Sequence, residues 1–308
     1  MQIHVLARCS AAAAVLVLFL VGCGASPPAG PVVVTQTAQP EAPLALTLPN
    51  RADSLKFAVL GDFGTGDREQ YQLGVQMKRV HDQFPFELVI LVGDNLYGSE
   101  RPQDFKKKFE DPYKPLLDAG VKFYASLGNH DAREQSRYKL FNMDGKTYYS
   151  FKAPDEDVRF FALETDYLSP AQLSWLQKEL ESSNEKWKIP YFHHPLYSSG
   201  GRHGSHVEHR NTLEPLFLKY GVSVVFTGHD HFYERIKPQN GIVYFVVGSG
   251  GKLRRGDIDR RSPLTARGFD TDLAFLAAEI SGDEMHFNTI SRQGAIIDSG
   301  VIQRRKTD

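Results

Sequence analysis

The stretch ELVILVGDNLY, Glu87 to Tyr97, decides the fold class. Leu88 to Val92 is an unbroken apolar run rich in branched side chains, and Glu87 to Val92 is expected as a strand. Gly93 then breaks the run, and Asp94, Asn95 and Tyr97 follow where the strand must end. In open α/β sheets, ligands collect at the carboxyl ends of strands.

Working outward, the same form recurs. Leu55 to Leu60 runs into Gly61-Asp62-Phe63-Gly64, Val121 to Ser126 into Gly128-Asn129-His130-Asp131, Trp187 to Phe192 into His193-His194-Pro195, and Val222 to Phe226 into Gly228-His229-Asp230-His231. Helical patterns are expected from Arg68 to Asp82, through Phe105 and Leu117, and from Ser169 to Ser182, with Leu173, Leu176 and Leu180 on one face. Further strands are expected at Val158 to Leu163, Ile242 to Val247, Leu273 to Ile280, Met285 to Ser291 and Ala295 to Ile302. Strand–helix alternation followed by clustered strands predicts an α/β domain of two packed mixed sheets flanked by helices.

The chain has 308 residues, 36 Lys+Arg against 37 Asp+Glu, and a formal charge of -1. That balance supplies no field for nucleic acid as the main partner, and the composition excludes disorder, collagen and a disulfide scaffold. Both cysteines, Cys9 and Cys23, fall in the first 23 residues. Residues 1–22 have the anatomy of a signal peptide, and Leu20-Val21-Gly22-Cys23 resembles the lipobox of bacterial lipoproteins. The expectation is an exported bacterial lipoprotein, facing periplasm or cell exterior and held to a membrane by acyl chains on Cys23. A Pro-rich tether over 23–52 would lead to a domain from Asp53 to Asp308.

With no cysteine downstream, any metal must be held by oxygen and nitrogen. Asp62, Asp94, Asn129, His193, His229 and His231 offer three of each, a mixture suited to iron, manganese or zinc. Each segment alone is more often a turn, a helix cap or an ordinary hydrogen-bonded histidine. Five together fit two ions sharing a carboxylate, an arrangement that serves in-line displacement at phosphorus.

The order and form of the five segments resemble the calcineurin-like metallophosphoesterases, and Tyr97, three positions after Asp94, makes them similar to the purple acid phosphatases. Gly228 to Arg235, GHDHFYER, matches that family's last block, whereas Pro190 stands where the family's fourth block has valine. The resemblance implies a four-layer αββα sandwich. It implies one metal bound by Asp62, Asp94, Tyr97 and His231, and a second bound by Asp94, Asn129, His193 and His229. The first would be ferric iron, coloured by the Tyr97 phenolate, and the second divalent iron, zinc or manganese. The implied reaction is hydrolysis of phosphate monoesters, on a phosphorylated small molecule or protein, by direct attack of a metal-bound hydroxide. His130 would orient phosphate or protonate the leaving group, with Asp131 fixing its tautomer. His203 and Arg202 would contact substrate, and Tyr233 and Arg235 are further candidates, Arg235 equally for a core ion pair. His206 and His209 read as a solvated helix face. The alternatives are a phosphodiesterase or nucleotide pyrophosphatase of the same fold, and a surface lipoprotein that binds metal or a partner without catalysis.

Overall fold

A computed structural model describes residues 44–153 and 157–306. The expected signal peptide, Cys23 and the tether as far as residue 43 lie outside the described residues.

Three parallel strands open the fold: β1 (Leu55–Leu60), β2 (Leu88–Val92) and β3 (Lys122–Ser126). The first crossover is helix α1 (Arg68–Gln83), whose Leu73, Met77 and Val80 form one buried stripe. The second crossover joins α2 (Pro102–Phe105), a π-helical turn at Lys106–Glu110 and α3 (Asp111–Asp118). Then come β4 (Tyr149–Lys152), β5 (Val158–Ala162), α4 (Pro170–Ser182), β6 (Trp187–Tyr191), α5 (Val207–Lys219), β7 (Val224–Thr227), β8 (Tyr233–Ile236), β9 (Val243–Val247) and β10 (Thr265–Phe269). An antiparallel meander of β11 (Ala274–Ser281), β12 (Glu284–Ser291) and β13 (Ile296–Gln303) closes the chain.

These strands make two mixed sheets, one ordered β13-β12-β11-β1-β2-β3 and the other β10-β8-β9-β7-β6-β5-β4. Alternation along the second sheet shows why it is covered twice. Phe160, Ile189, Phe226 and Phe245 face the first sheet, where Phe57 meets Phe160 and Phe226 edge-on at 5.4 and 6.0 Å. Their neighbours Phe161, Val225 and Tyr244 point the other way, into an apolar layer with Leu176 and Leu180 of α4 and Leu213 and Phe217 of α5. The result is the expected sandwich of helix, sheet, sheet and helix.

Two features differ from the sequence reading. Residues 44–52, expected as tether, are docked: Leu44, Leu46 and Leu48 pack on the core, and the backbone N–H groups of Asn50 and Arg51 both donate to the buried Glu279 carboxylate at 2.6 Å. β4, β8 and β10 were not anticipated, because edge strands and strands carrying charges such as Glu234 and Arg235 lack the apolar run that marks a strand.

Candidate metal centre

All five segments emerge at carboxyl ends of strands: Asp62 after β1, Asp94 after β2, Asn129 after β3, His193 after β6 and His229 with His231 after β7. Both sheets therefore contribute to one centre. The backbone bends hard to aim these side chains, for Asp62, Asp94 and His229 have φ of 55°, 50° and 71°, in the left-handed region that non-glycine residues avoid. Gly128 shows how tightly the loops approach, since a Cβ there would lie 2.4 Å from Asp94 Oδ1 and 2.9 Å from His193 Cε1.

Asp62, Asp94 and His193 are buried and offer ligand atoms within 4.8 Å of one another. On one flank, Tyr97 Oη lies 3.2 Å from Asp62 Oδ1 and 3.2 Å from His231 Nε2. On the other, His193 Nε2 lies 3.3 Å from Asp94 Oδ1, 3.1 Å from Asn129 Oδ1 and 3.1 Å from His229 Nδ1. The seven side chains expected as ligands are thus brought together in two adjoining groups.

The tautomer of His193 follows from its other nitrogen. Nδ1 is 3.0 Å from the Val92 carbonyl oxygen, which only accepts, so Nδ1 carries the proton and Nε2 is a lone pair. That lone pair faces a carboxylate oxygen, an amide oxygen and the Nδ1 of His229, a cluster rich in electron pairs. A cation satisfies such a set, and the mixture of carboxylate, phenol, amide and imidazole fits iron, zinc or manganese.

The electrostatics agree. Burial, and then the charge of Asp94, push the Asp62 carboxyl well above its ordinary value. Burial and the Asp62 and Asp94 charges raise the Tyr97 phenol. Burial, then Arg254, pull His231 down to about 3, and burial with His193 lowers His229. The imidazoles are neutral and ready to coordinate, while the acids lack a counter-charge.

Around the mouth lie the residues expected to handle substrate. His130 is exposed, its ring 4.9 Å from that of Tyr97 and its backbone N–H bonded to Asp94 Oδ1 at 3.0 Å. The His203 ring stands 4.2 Å from that of His229, and Arg202 lines the same cavity of about 390 Å³ with His194, His206 and Glu208. Burial, then Arg254 and Arg202, lower His203 from its ordinary value.

Asp131 does not serve His130. Its carboxylate accepts from the backbone N–H groups of Asn95, Leu96 and Gly128 at 2.9–3.0 Å and from the Asn95 and Gln135 amides. It bolts the loop bearing Asp94 to the loop bearing Asn129. A carboxylate in the loop after a strand caps the nearest unpaired N–H groups, and that demand outweighs a link to an exposed ring. Tyr233 and Arg235 are likewise structural: both bond Asp298 of β13, Arg235 bidentately at 2.8 and 3.0 Å, which ties the two sheets.

His206 and His209 do not form a free solvated face. His206 caps α5 by accepting from the His209 N–H at 3.3 Å, their rings stack at 3.6 Å, and His209 Nε2 donates to the Thr165 carbonyl at 2.8 Å. His194 is held by Thr165 Oγ1 at 3.0 Å, which leaves His193 as the inward member of the pair. The sequence reading missed Lys252 and Arg254 beside the centre and Lys108 beneath it. Lys108, on the π-helical turn, donates to the carbonyls of Tyr97 and Ser99 at 2.7 and 2.8 Å and fixes the Tyr97 loop. Gly250-Gly251-Lys252 after β9 carries the same strand-to-glycine signal as the other segments but no residue type that pointed to metal.

Fold and site together define a class of metal-dependent hydrolase, and the chain belongs to the calcineurin-like phosphoesterase family, whose model matches residues 55–233. Within it the chain is similar to purple acid phosphatase 17 of Arabidopsis thaliana, 27% identical over 80% of this chain and 87% of that one. It is also similar to human tartrate-resistant acid phosphatase type 5, 27% identical over 85% of this chain and 96% of that one. A purple acid phosphatase from yellow lupin seeds has the same fold, with a TM-score of 0.69 at 20% identity over 83% of this chain and 55% of that one. These relatives and the family match support a metal-dependent phosphoesterase.

Proposed function

We propose that this chain is a dinuclear phosphatase acting on phosphate monoesters, with ferric iron held by Asp62, Asp94, Tyr97 and His231 and divalent iron, zinc or manganese held by Asp94, Asn129, His193 and His229. The observation that carries it is the convergence of acceptors on the His193 lone pair beside a carboxylate, Asp94, placed between both groups. When bound, the two ions supply Lewis-acid polarisation of phosphate oxygens and an acidified water.

The chain's own groups do the rest. His130 and His203 stand on opposite flanks of the centre with exposed rings, suited to binding phosphate oxygens and to giving a proton to the leaving oxygen. Because His203 is held below its ordinary value, it is charged only in acid, where it binds phosphate more strongly. Arg202 adds a guanidinium at the cavity mouth. Asp131 and Lys108 keep the ligand loops in place, which preserves the line of attack. The test is a panel of p-nitrophenyl mono- and diesters with pyrophosphate. Monoester turnover should dominate and rise in mild acid; faster diester or pyrophosphate turnover contradicts the reading.

We propose also that the enzyme is exported and anchored by lipid on Cys23, a reading supported by Leu20-Val21-Gly22-Cys23 after an apolar run. Cells fed a palmitate analogue should label the wild-type chain and not Cys23→Ser, which should leave the membrane fraction. Equal labelling of both contradicts it.

A further inference from the structure

Lys252 stands over the face of Tyr97, its Nζ 4.8 Å from the ring centroid. The contact is built into the backbone. The N–H groups of Gly251 and Lys252 both donate to the Asp62 carbonyl, at 3.0 and 2.9 Å, so the segment after β9 is fastened to the residue beside the phenol. A Cβ on Gly251 would come 2.0 Å from the Phe63 carbonyl oxygen, so only glycine fits this close approach. Meanwhile the phenol oxygen lies in the other direction, against Asp62 and His231. The ring is therefore held between a metal-facing edge and a cation on its face.

We propose that Lys252 is a positioning residue that tunes the ion bound through Tyr97, raising its reduction potential and moving its phenolate charge-transfer absorption to shorter wavelength. This rests on the reading of Tyr97 as a phenolate ligand of ferric iron. A cation on the π face attracts a phenolate more strongly than a neutral ring. Charge-transfer excitation moves an electron from ring to metal and weakens that attraction, so the cation raises the excitation energy. Adding an electron to the ion is favoured by the same nearby positive charge. The Lys252 side chain is half-buried, which limits the screening of this effect by water.

The experiment measures metal content, visible spectrum and reduction potential of iron-loaded wild type, Tyr97→Phe, Lys252→Met and Lys252→Arg. At equal iron content, Lys252→Met should absorb at longer wavelength and have a lower potential, Lys252→Arg should return both toward wild type, and Tyr97→Phe should lose the band. Lys252→Gln stands in should the Met protein not fold. A Lys252→Met spectrum and potential equal to wild type overturn the role of Lys252 and leave the Tyr97 reading standing. An iron-loaded wild type with no such band, or a band that survives Tyr97→Phe, overturns the phenolate reading and this proposal with it.

Discussion

The Asp94→Asn protein is expected to fold, to lose roughly a thousandfold or more of its phosphatase turnover, and to purify without a stoichiometric pair of metals. Asparagine has the same shape and also tolerates the left-handed backbone found at this position, where φ is 50°, so the change removes charge without adding strain. The carboxylate it replaces is 1% exposed, lies 3.3 Å from His193 Nε2 and belongs to the tight group with Asp62. It is an anion placed to face both sets of ligands. The metal-free variant should be at least as stable as metal-free wild type, because the Asp94 charge is what raises Asp62 after burial itself. Circular dichroism, metal analysis and turnover on the same preparation separate lost chemistry from lost fold. A variant that keeps wild-type turnover and two metals contradicts the assignment of Asp94.

The second large effect is on stability. Without cations, burial and the Asp94 charge lift Asp131 to about 7, and Asp62 is lifted well above its ordinary value by the same causes. In the unfolded chain both ionise near pH 4. As pH rises from about 4, the unfolded chain therefore sheds protons that the folded metal-free protein retains, and the folded state loses stability until Asp131 ionises too, near 7. Bound cations pair these charges and remove that loss. Binding itself contributes about 3–4 kcal/mol at a hundred to a thousand times Kd. Protons compete with the metals for these carboxylates in acid, so stripping the metals with a chelator should lower the thermal midpoint less at pH 4 than at pH 7, where the fall should be about 10 °C or more, given about 2–4 °C per kcal/mol for a domain of this size. A gap of constant size across that range contradicts the electrostatic account.

What could be read from sequence was what the sequence keeps local. An apolar run followed by glycine and aspartate states a strand and its ligand within about ten residues, so Asp62, Asp94 and Asn129 were each found beside the strand that carries them. The roles of Asp131, Arg235 and His209 depend on Asn95, Asp298 and Thr165, partners between 36 and 63 residues away in sequence. No spacing rule reaches so far. Leu44, Leu46 and Leu48 do alternate as a half-buried strand would, but the prolines around them gave the segment the composition of a tether. Lys252 was hidden for a different reason. It ligates nothing, and its effect passes through another side chain.

The central claim is that two metal ions are held at the carboxyl ends of strands from both sheets and that phosphate-ester hydrolysis depends on them. Elemental analysis of natively expressed protein, paired with turnover before and after chelation and reloading, tests it most directly. The account predicts two ions per chain, one of them iron, with turnover lost on stripping and restored on reloading. One ion or none per chain in fully active protein, or turnover that survives complete stripping, would contradict it.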